Sequence, residues 1–180
     1  MNCRISARGP HQGAADCGFS LIELLIVVAI ILIIAAIAIP NLVRSRIAAD
    51  ESSAANSVRR ISIAEIAYNA AYPTVGYAPD LTSLGGPPTN CAPSSTSACM
   101  IDNLLASGLK SGYLLNAAGF TSTGGPNDSF VASSAPQVFN ATGVRNFCIV
   151  TDGVLRVQPG TSGGVPAPDV ATCMAYASAQ

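Results

Sequence analysis

The sequence predicts an α+β fold in which a long N-terminal α-helix packs on a small antiparallel β-sheet. An apolar run, Phe19–Ile39, is followed after Pro40 by helix-forming residues with no Gly or Pro from Asn41 to Tyr72. After residue 72 the chain is rich in Gly, Pro, Ser and Thr, and its short β-branched runs are typical of strands joined by turns. The sheet is predicted to cover one apolar face of the helix.

The first half of the predicted helix is long enough to cross a membrane. Among the 21 residues of Phe19–Ile39 only Ser20 and Glu23 are polar, and 15 are Leu, Ile, Val or Phe. A helix of this length covers roughly 31 Å, close to the thickness of a hydrocarbon core. The apolar residues outweigh one buried acid, which costs about 2.5–3.5 kcal/mol. We therefore predict a transmembrane helix at 19–40.

The helix is predicted to continue as an amphipathic segment over residues 41–72. Pro40 removes one backbone donor and is expected to kink the helix rather than end it. Tyr72 precedes a second proline and ends it, because the residue before proline disfavours the α region. The apolar residues that recur at helical spacing are Val43, Ile47, Ala54, Val58, Ile61 and Tyr68.

The remainder, residues 73–180, is predicted to be a globular domain with an antiparallel sheet. One or two helical turns are expected within Ile101–Leu109. The candidate strands are Gly112–Ala118, Pro136–Ala141, Asn146–Thr151 and Val154–Gln158. Asp152-Gly153 lies between the last two strands and is a strong hairpin signal.

Composition argues against an enzyme and against a nucleic-acid-binding protein. Charged residues make up 11% of the chain, the net charge is −1, and no basic stripe is present. The only histidine, His11, precedes the apolar run, and no C-x-x-C occurs. We therefore predict no catalytic residues, no cofactor and no metal site. A calcium site made from Asp128, Asp152 and Asp169 would require the fold to bring these loop residues together.

Residues Gly18–Glu23 read GFSLIE, and the apolar run and Pro40 follow them. This arrangement resembles the class III signal of type IV pilins and of type II secretion pseudopilins. The resemblance implies a leader at 1–18, cleavage between Gly18 and Phe19 by a prepilin peptidase, and N-methylation of Phe19. It also implies a pilin-like fold. In this family the acid at the fifth mature position faces the terminal ammonium of an adjacent subunit, and Glu23 occupies that position.

The leader departs from the family pattern at one point. Asp16 and Cys17 stand where Lys or Arg often precedes the cleavage-site glycine. An ordinary secretory signal fits less well, because its cleavage site follows the apolar region. A lipoprotein signal at Cys17 fits less well for the same reason.

Cysteine usage agrees with export. Cys3 and Cys17 lie in the predicted leader, and the other four cysteines permit three connectivities. We favour the pairs Cys91–Cys99, which is short in sequence, and Cys148–Cys173, which would tie the C-terminal tail to the sheet.

The function implied by the resemblance is that of a structural subunit, which polymerises through its helix into a type IV pilus-like filament. A pseudopilin of a type II secretion system is the alternative within the family, and a non-polymerising anchored binding protein is the alternative outside it. The implied partners are other copies, minor pilins, the prepilin peptidase, the inner-membrane assembly platform and membrane lipid. Before assembly the leader would lie in the cytoplasm and the globular domain in the periplasm. After assembly the subunit would belong to an extracellular pilus or a periplasmic pseudopilus.

Overall fold

A computed structural model describes residues 19–87 and 89–179 and shows an α+β arrangement. The N-terminal helix α1, Leu21–Ala71, contains 51 residues and continues through Pro40. The chain divides into two compact units, Met1–Leu42 and Val43–Gln180. The described part of the first unit is almost entirely helix, whereas the second unit contains the rest of α1 and the whole sheet. The predicted fold class is confirmed.

In the described part of the chain the sheet has six antiparallel strands in sequence order. They are β1 (Leu109–Lys110), β2 (Tyr113–Phe120), β3 (Ser129–Pro136), β4 (Arg145–Val150), β5 (Arg156–Pro159) and β6 (Ala177–Ser178). The three longest strands pair over extended registers, with Leu115 opposite Ser134 and Ala132 opposite Ile149. Short turns connect β1 to β2 and β4 to β5. Longer segments join the other neighbouring strands.

One face of the sheet forms the main hydrophobic core with the C-terminal half of α1. Helix residues at three- and four-residue spacing are buried there, and these are Ala54, Val58, Ile61, Ala64 and Tyr68. They pack on alternate residues of the three central strands, which include Tyr113, Leu115, Phe130, Ala132, Phe147 and Ile149. A period of about 3.6 on the helix and of 2 on the strands places each set on one face.

The opposite face is covered by the C-terminal segment. Val131, Cys148 and Val150 of the sheet pack against Ala167, Cys173 and Tyr176. The hydroxyl of Ser133 donates a hydrogen bond of 2.8 Å to the carbonyl of Ala167. The sheet is therefore buried on both faces at its centre, and β3 in particular has buried residues without alternation.

Within residues 19–87 and 89–179, three short helices lie outside the sheet, and an aspartate caps each one. They are α2 (Leu81–Leu84), α3 (Asn103–Ala106) and α4 (Val170–Met174). The carboxylates of Asp80, Asp102 and Asp169 accept backbone N–H bonds of 2.8, 2.9 and 2.7 Å at the N-termini of these helices. Side-chain acceptors at this position satisfy donors that the helix leaves unpaired.

The predicted strand Pro136–Ala141 is wrong. The preceding residues Ser129–Pro136 form β3 instead, and residues 137–143 form a turn. The hydroxyl of Thr142 bonds to both backbone groups of Val138, and Asn140 takes a φ of 64°. The sequence pattern does not predict β3. A strand that is buried on both faces shows no alternation of polar and apolar residues, and several residues of β3 are small.

The helical turn predicted within Ile101–Leu109 is confirmed, because the one-turn helix α3 lies there before β1 begins. The predicted hairpin between the last two candidate strands differs at its boundaries. Asp152-Gly153 does lie in the turn between β4 and β5, and Gly153 takes a φ of 72°. The connection runs from residue 151 to 155, however, so the turn is longer than a two-residue hairpin.

Candidate processing and assembly segment

The predicted processing junction lies at the start of the described chain. Gly18 is outside the described residues, and Phe19 precedes α1 with 70% of its surface exposed. The carbonyl of Ser20 accepts hydrogen bonds from the backbone N–H groups of Glu23 and Leu24, at 3.1 and 3.2 Å. Helical structure therefore begins two residues after Phe19.

Glu23 lies in the first turn of α1. Ser20 and Glu23 have the S-x-x-E spacing typical of a helix N-terminus, where an acid interacts favourably with the unpaired N–H groups. Within the described part of the chain the carboxylate of Glu23 has no ion-pair partner, and the residue is exposed. The start of the helix therefore gives a local reason for an acid here and leaves its charge available to another molecule.

The rest of the segment presents an apolar surface that no part of its own unit covers. Its large residues are all roughly half-exposed or more, from Val28 at 45% to Leu21 at 80%. Among the described residues α1 is the one helix that is long and apolar enough to cross a membrane, by length and composition. An apolar surface of this extent requires lipid or another protein.

Pro40 lies inside α1. Because proline has no backbone N–H, the carbonyl of Ala36 lacks the helical hydrogen bond that an ordinary residue at position 40 would donate. The kink at this position stays a prediction.

The four cysteines of the globular unit form two disulfides. Cys91 bonds to Cys99, with 6.2 Å between their Cα atoms, and Cys148 bonds to Cys173, with 5.9 Å. These are the two pairs that the sequence favours. Cys148 and Cys173 are fully buried between the sheet and α4, so their disulfide holds the C-terminal segment on the second face.

Two acids on α1 that sequence reasoning did not single out face the globular core. Glu51 is 4% exposed and Glu65 is fully buried. Glu51 precedes Ala54 by three residues and Glu65 follows Ile61 by four, so both continue the buried apolar stripe. This spacing could have predicted from the sequence that both acids are buried. A buried acid needs a polar partner on the other side of the core.

The partner of Glu65 is the loop after α1. One carboxylate oxygen accepts a 2.8 Å hydrogen bond from the backbone N–H of Ala78, and the other has no hydrogen-bond partner within the described residues. The pKa of Glu65 is raised to about 8, mainly because burial disfavours the charged carboxylate. The hydrogen bond from Ala78 opposes this rise, and the negative charge of Asp80 contributes to it. One turn later, the hydroxyl of Tyr68 donates a 2.5 Å hydrogen bond to the carbonyl of Ser95.

The loop aspartates considered for calcium are each engaged in a local contact. Asp128 accepts from the backbone N–H and hydroxyl of Ser122, and Asp152 accepts from the guanidinium of Arg156 at 2.5 Å. These contacts lower the pKa of both carboxyls. Asp169 caps α4. In the described ranges no three His, Cys, Asp or Glu residues lie close enough to hold a metal ion.

Comparison with known proteins assigns the N-terminal segment. A family model, the prokaryotic N-terminal methylation motif, matches residues 14–39. This motif is the class III signal of type IV pilins and pseudopilins, so the resemblance of GFSLIE and the following apolar run is confirmed. No curated protein matches the chain. No solved structure matches it either.

Together, the motif and the apolar helix support a pilin-like or pseudopilin protein that is anchored in a membrane before assembly. The motif also implies processing by a prepilin peptidase and assembly with other pilins. The motif favours a structural role for the chain.

Proposed function

We propose that this chain is the structural subunit of a type IV pilus-like filament and polymerises through α1 after its leader is removed. The observation that carries the proposal is the methylation motif at residues 14–39, placed at the start of a helix whose apolar surface is exposed. A simple membrane anchor needs an apolar helix but needs neither a processing signal nor an acid at Glu23. A polymer in which the helices pack together uses all three features.

Before assembly, the leader lies in the cytoplasm, α1 crosses the inner membrane, and the globular unit lies in the periplasm. Two disulfides in the globular unit fit an oxidising compartment. The partners are other copies of the chain, related minor pilins, the prepilin peptidase, the assembly platform and, before assembly, membrane lipid. Glu23 then meets the terminal ammonium of a neighbouring Phe19.

Pseudopilins share the same signal, so a short periplasmic pseudopilus is the second candidate. The experiment that separates the candidates is mass spectrometry of filaments sheared from the cell surface, together with the intact mass of the membrane-bound protein. We expect the chain in sheared filaments and a mature N-terminus at methylated Phe19. A processed chain that is absent from surface filaments and is required for protein secretion would support the pseudopilin. A chain that still carries Cys17 would contradict both candidates.

A further inference from the structure

A cavity of about 490 Å³, lined by both polar and apolar surface, lies within the second unit beside the first turns of its part of α1. Three chain segments line it: the helix, the turn between β1 and β2, and the turn after β3. The lining residues are Val43, Arg46, Asp50, Ser111, Gly112, Asn140, Ala141 and Thr142. Cavities of this volume are large enough for small ligands.

The helix wall of the cavity carries one positive and one negative side chain. Arg46 and Asp50 are four residues apart, which places them on one face, about one turn from each other. In the described part of the chain neither forms a salt bridge within 4 Å, although both line the same cavity. Arg46 is exposed and Asp50 is half-buried. A ligand that carries both a negative and a positive group would pair with the two charges at once.

The opposite wall is neutral, polar and built on constrained turns. Ser111 and Asn140 take left-handed backbone conformations, with φ of 50° and 64°. Between them, a Cβ at Gly112 would lie 2.6 Å from Cγ2 of Thr142, so the two turns pack closely. The Ser111 hydroxyl lies 2.9 Å from that of Ser53 on α1, which ties this wall to the helix. The Thr142 hydroxyl bonds to the backbone of Val138, so contacts within the protein hold both hydroxyls of this neutral wall.

We propose that this cavity binds the headgroup of a zwitterionic phospholipid, with the phosphate on Arg46 and the ammonium on Asp50. Arg46 follows Ile39, the last residue of the apolar run, by seven residues in the same helix, and arginines just beyond a span lie where headgroups carry their phosphates. Guanidinium binds phosphate through two hydrogen bonds, and a carboxylate accepts from an ammonium. Val43 supplies an apolar contact on the same wall. The inference rests on the membrane-anchored stage of the proposed function.

The test is native mass spectrometry of the processed full-length chain, freed of lipid in a nonionic detergent and titrated with short-chain lipids. The probes are dihexanoyl phosphatidylethanolamine, dihexanoyl phosphatidylglycerol and free phosphoethanolamine. We expect the ethanolamine lipid to bind most tightly. Arg46→Gln should weaken the binding of both lipids about tenfold or more, because the phosphate loses its charged hydrogen bonds to the guanidinium. Asp50→Asn should lower the affinity for the ethanolamine lipid about tenfold and leave the affinity for the glycerol lipid unchanged.

The matched control is Arg44→Gln, which removes an arginine that does not line the cavity and should leave both affinities unchanged. Arg46→Lys keeps the charge and should retain most phosphate binding, and thermal unfolding of each variant checks that it folds. Equal losses in the Arg44 and Arg46 variants would overturn the proposal in favour of diffuse attraction. Free phosphoethanolamine that binds as tightly as the lipid would overturn the assignment to a membrane ligand.

A photo-reactive residue in place of Ala141 tests the other possible occupant. Cross-links to lipid in whole cells support the proposal, whereas cross-links to a second copy without lipid overturn it. Processing and filament yield are measured on the same variants. Normal processing and filaments without lipid selectivity would remove this inference alone, whereas failure of the wild-type chain to be processed would contradict the proposed function.

Discussion

Glu51 of α1 binds Arg145, the first residue of β4, and so joins the long helix to the sheet. One oxygen of its carboxylate accepts from Nε and Nη2 of Arg145 at 2.8 and 2.5 Å. The other accepts from the backbone N–H of Val144 at 2.9 Å. Both oxygens of this almost completely buried carboxylate are therefore hydrogen-bonded, and their partners are the first residue of β4 and the residue before it.

Replacing Glu51 with Ala should lower the free energy of unfolding of the globular unit by about 2–3 kcal/mol. The substitution leaves the Val144 N–H and the Arg145 guanidinium without their acceptor, and a hydrogen bond to a charged group contributes about 1.5–3 kcal/mol net of exchange with water. Water can replace the carboxylate at Arg145, whose side chain is 53% exposed, so the separate contributions do not simply add. Urea unfolding of the processed chain in nonionic detergent, followed by the near-ultraviolet signal of the tyrosines, measures the change.

The matched control is Asp102→Asn, which removes the ion pair between Arg60 and Asp102 at 3.4 Å. Both side chains are about half-exposed there, and exposed pairs contribute less than about 1 kcal/mol. Asparagine can still cap α3, so this control should be close to neutral. Equal costs for the two variants would show that burial of Glu51 adds nothing to its pair.

Glu65 should make the domain less stable as pH rises. Burial raises its folded-state pKa from 4.5 to about 8, so between these values the unfolded chain releases a proton that the folded chain retains. The stabilisation is complete below about pH 4.5 and is lost as pH rises through about 8. The slope is about 1.4 kcal/mol per pH unit for one proton.

The Glu65→Gln variant measures this contribution. Gln keeps an acceptor for the Ala78 N–H and has no charge, so its free energy of unfolding should fall less steeply with pH between about 4.5 and 8. Wild type and variant are compared in urea at several pH values in that interval, with Asp102→Asn as the control that keeps the wild-type slope. Parallel curves for wild type and Glu65→Gln would contradict the assignment.

The two disulfides should differ in their contribution to stability. They close segments with sequence separations of 8 and 25 residues, and loop entropy alone favours the Cys148–Cys173 bond by about 1 kcal/mol. Replacing both of these cysteines by Ala should therefore destabilise more than replacing Cys91 and Cys99. Denaturing alkylation without reductant should find no free thiol in the processed wild-type chain. Reactive thiols there, or equal costs for the two double variants, would contradict this account.

The sequence predicted the features that depend on long runs or strict periods. The apolar run and the helical spacing from Ala54 to Tyr68 placed α1 within one residue of its observed end. An antiparallel sheet was predicted, but its strand β3 was not. Ser133 and Ser134 lie at the centre of this strand, which is buried on both faces. A run of small residues gives no alternation to read.

The inward acids show a second reason why sequence reasoning is incomplete. Glu51 and Glu65 have helix-forming side chains that are usually solvated, and only the tertiary fold brings Arg145 and the Ala78 N–H to them. These contacts join residues 94 and 13 positions apart. The cavity beside Arg46 has the same origin, since its two turns follow β1 and β3. A local pattern predicts such acids as exposed, because it contains no information about distant partners.

The last prediction concerns Glu23. Glu23→Ala should leave membrane insertion intact, since it removes a polar cost of about 2.5–3.5 kcal/mol from the span. The stability of the globular unit should be unchanged, because its first residue, Val43, is 20 positions away. Filament assembly should nevertheless fail or fall sharply, because the ammonium of an incoming Phe19 would be buried without its partner. The measurement is filament yield relative to processed, membrane-bound subunit.

A role confined to the start of the helix makes different predictions for this acid. An acid that only stabilises the start of α1 contributes less than about 1 kcal/mol, and Asp serves that role as well as Glu. Glu23→Asp should then form normal filaments, and Glu23→Ala should lose little. An acid that pairs with a neighbour's ammonium depends on reach, so Glu23→Asp should assemble poorly although it keeps the charge. Normal filaments from Glu23→Ala with normal processing would show that the acid has no intersubunit partner.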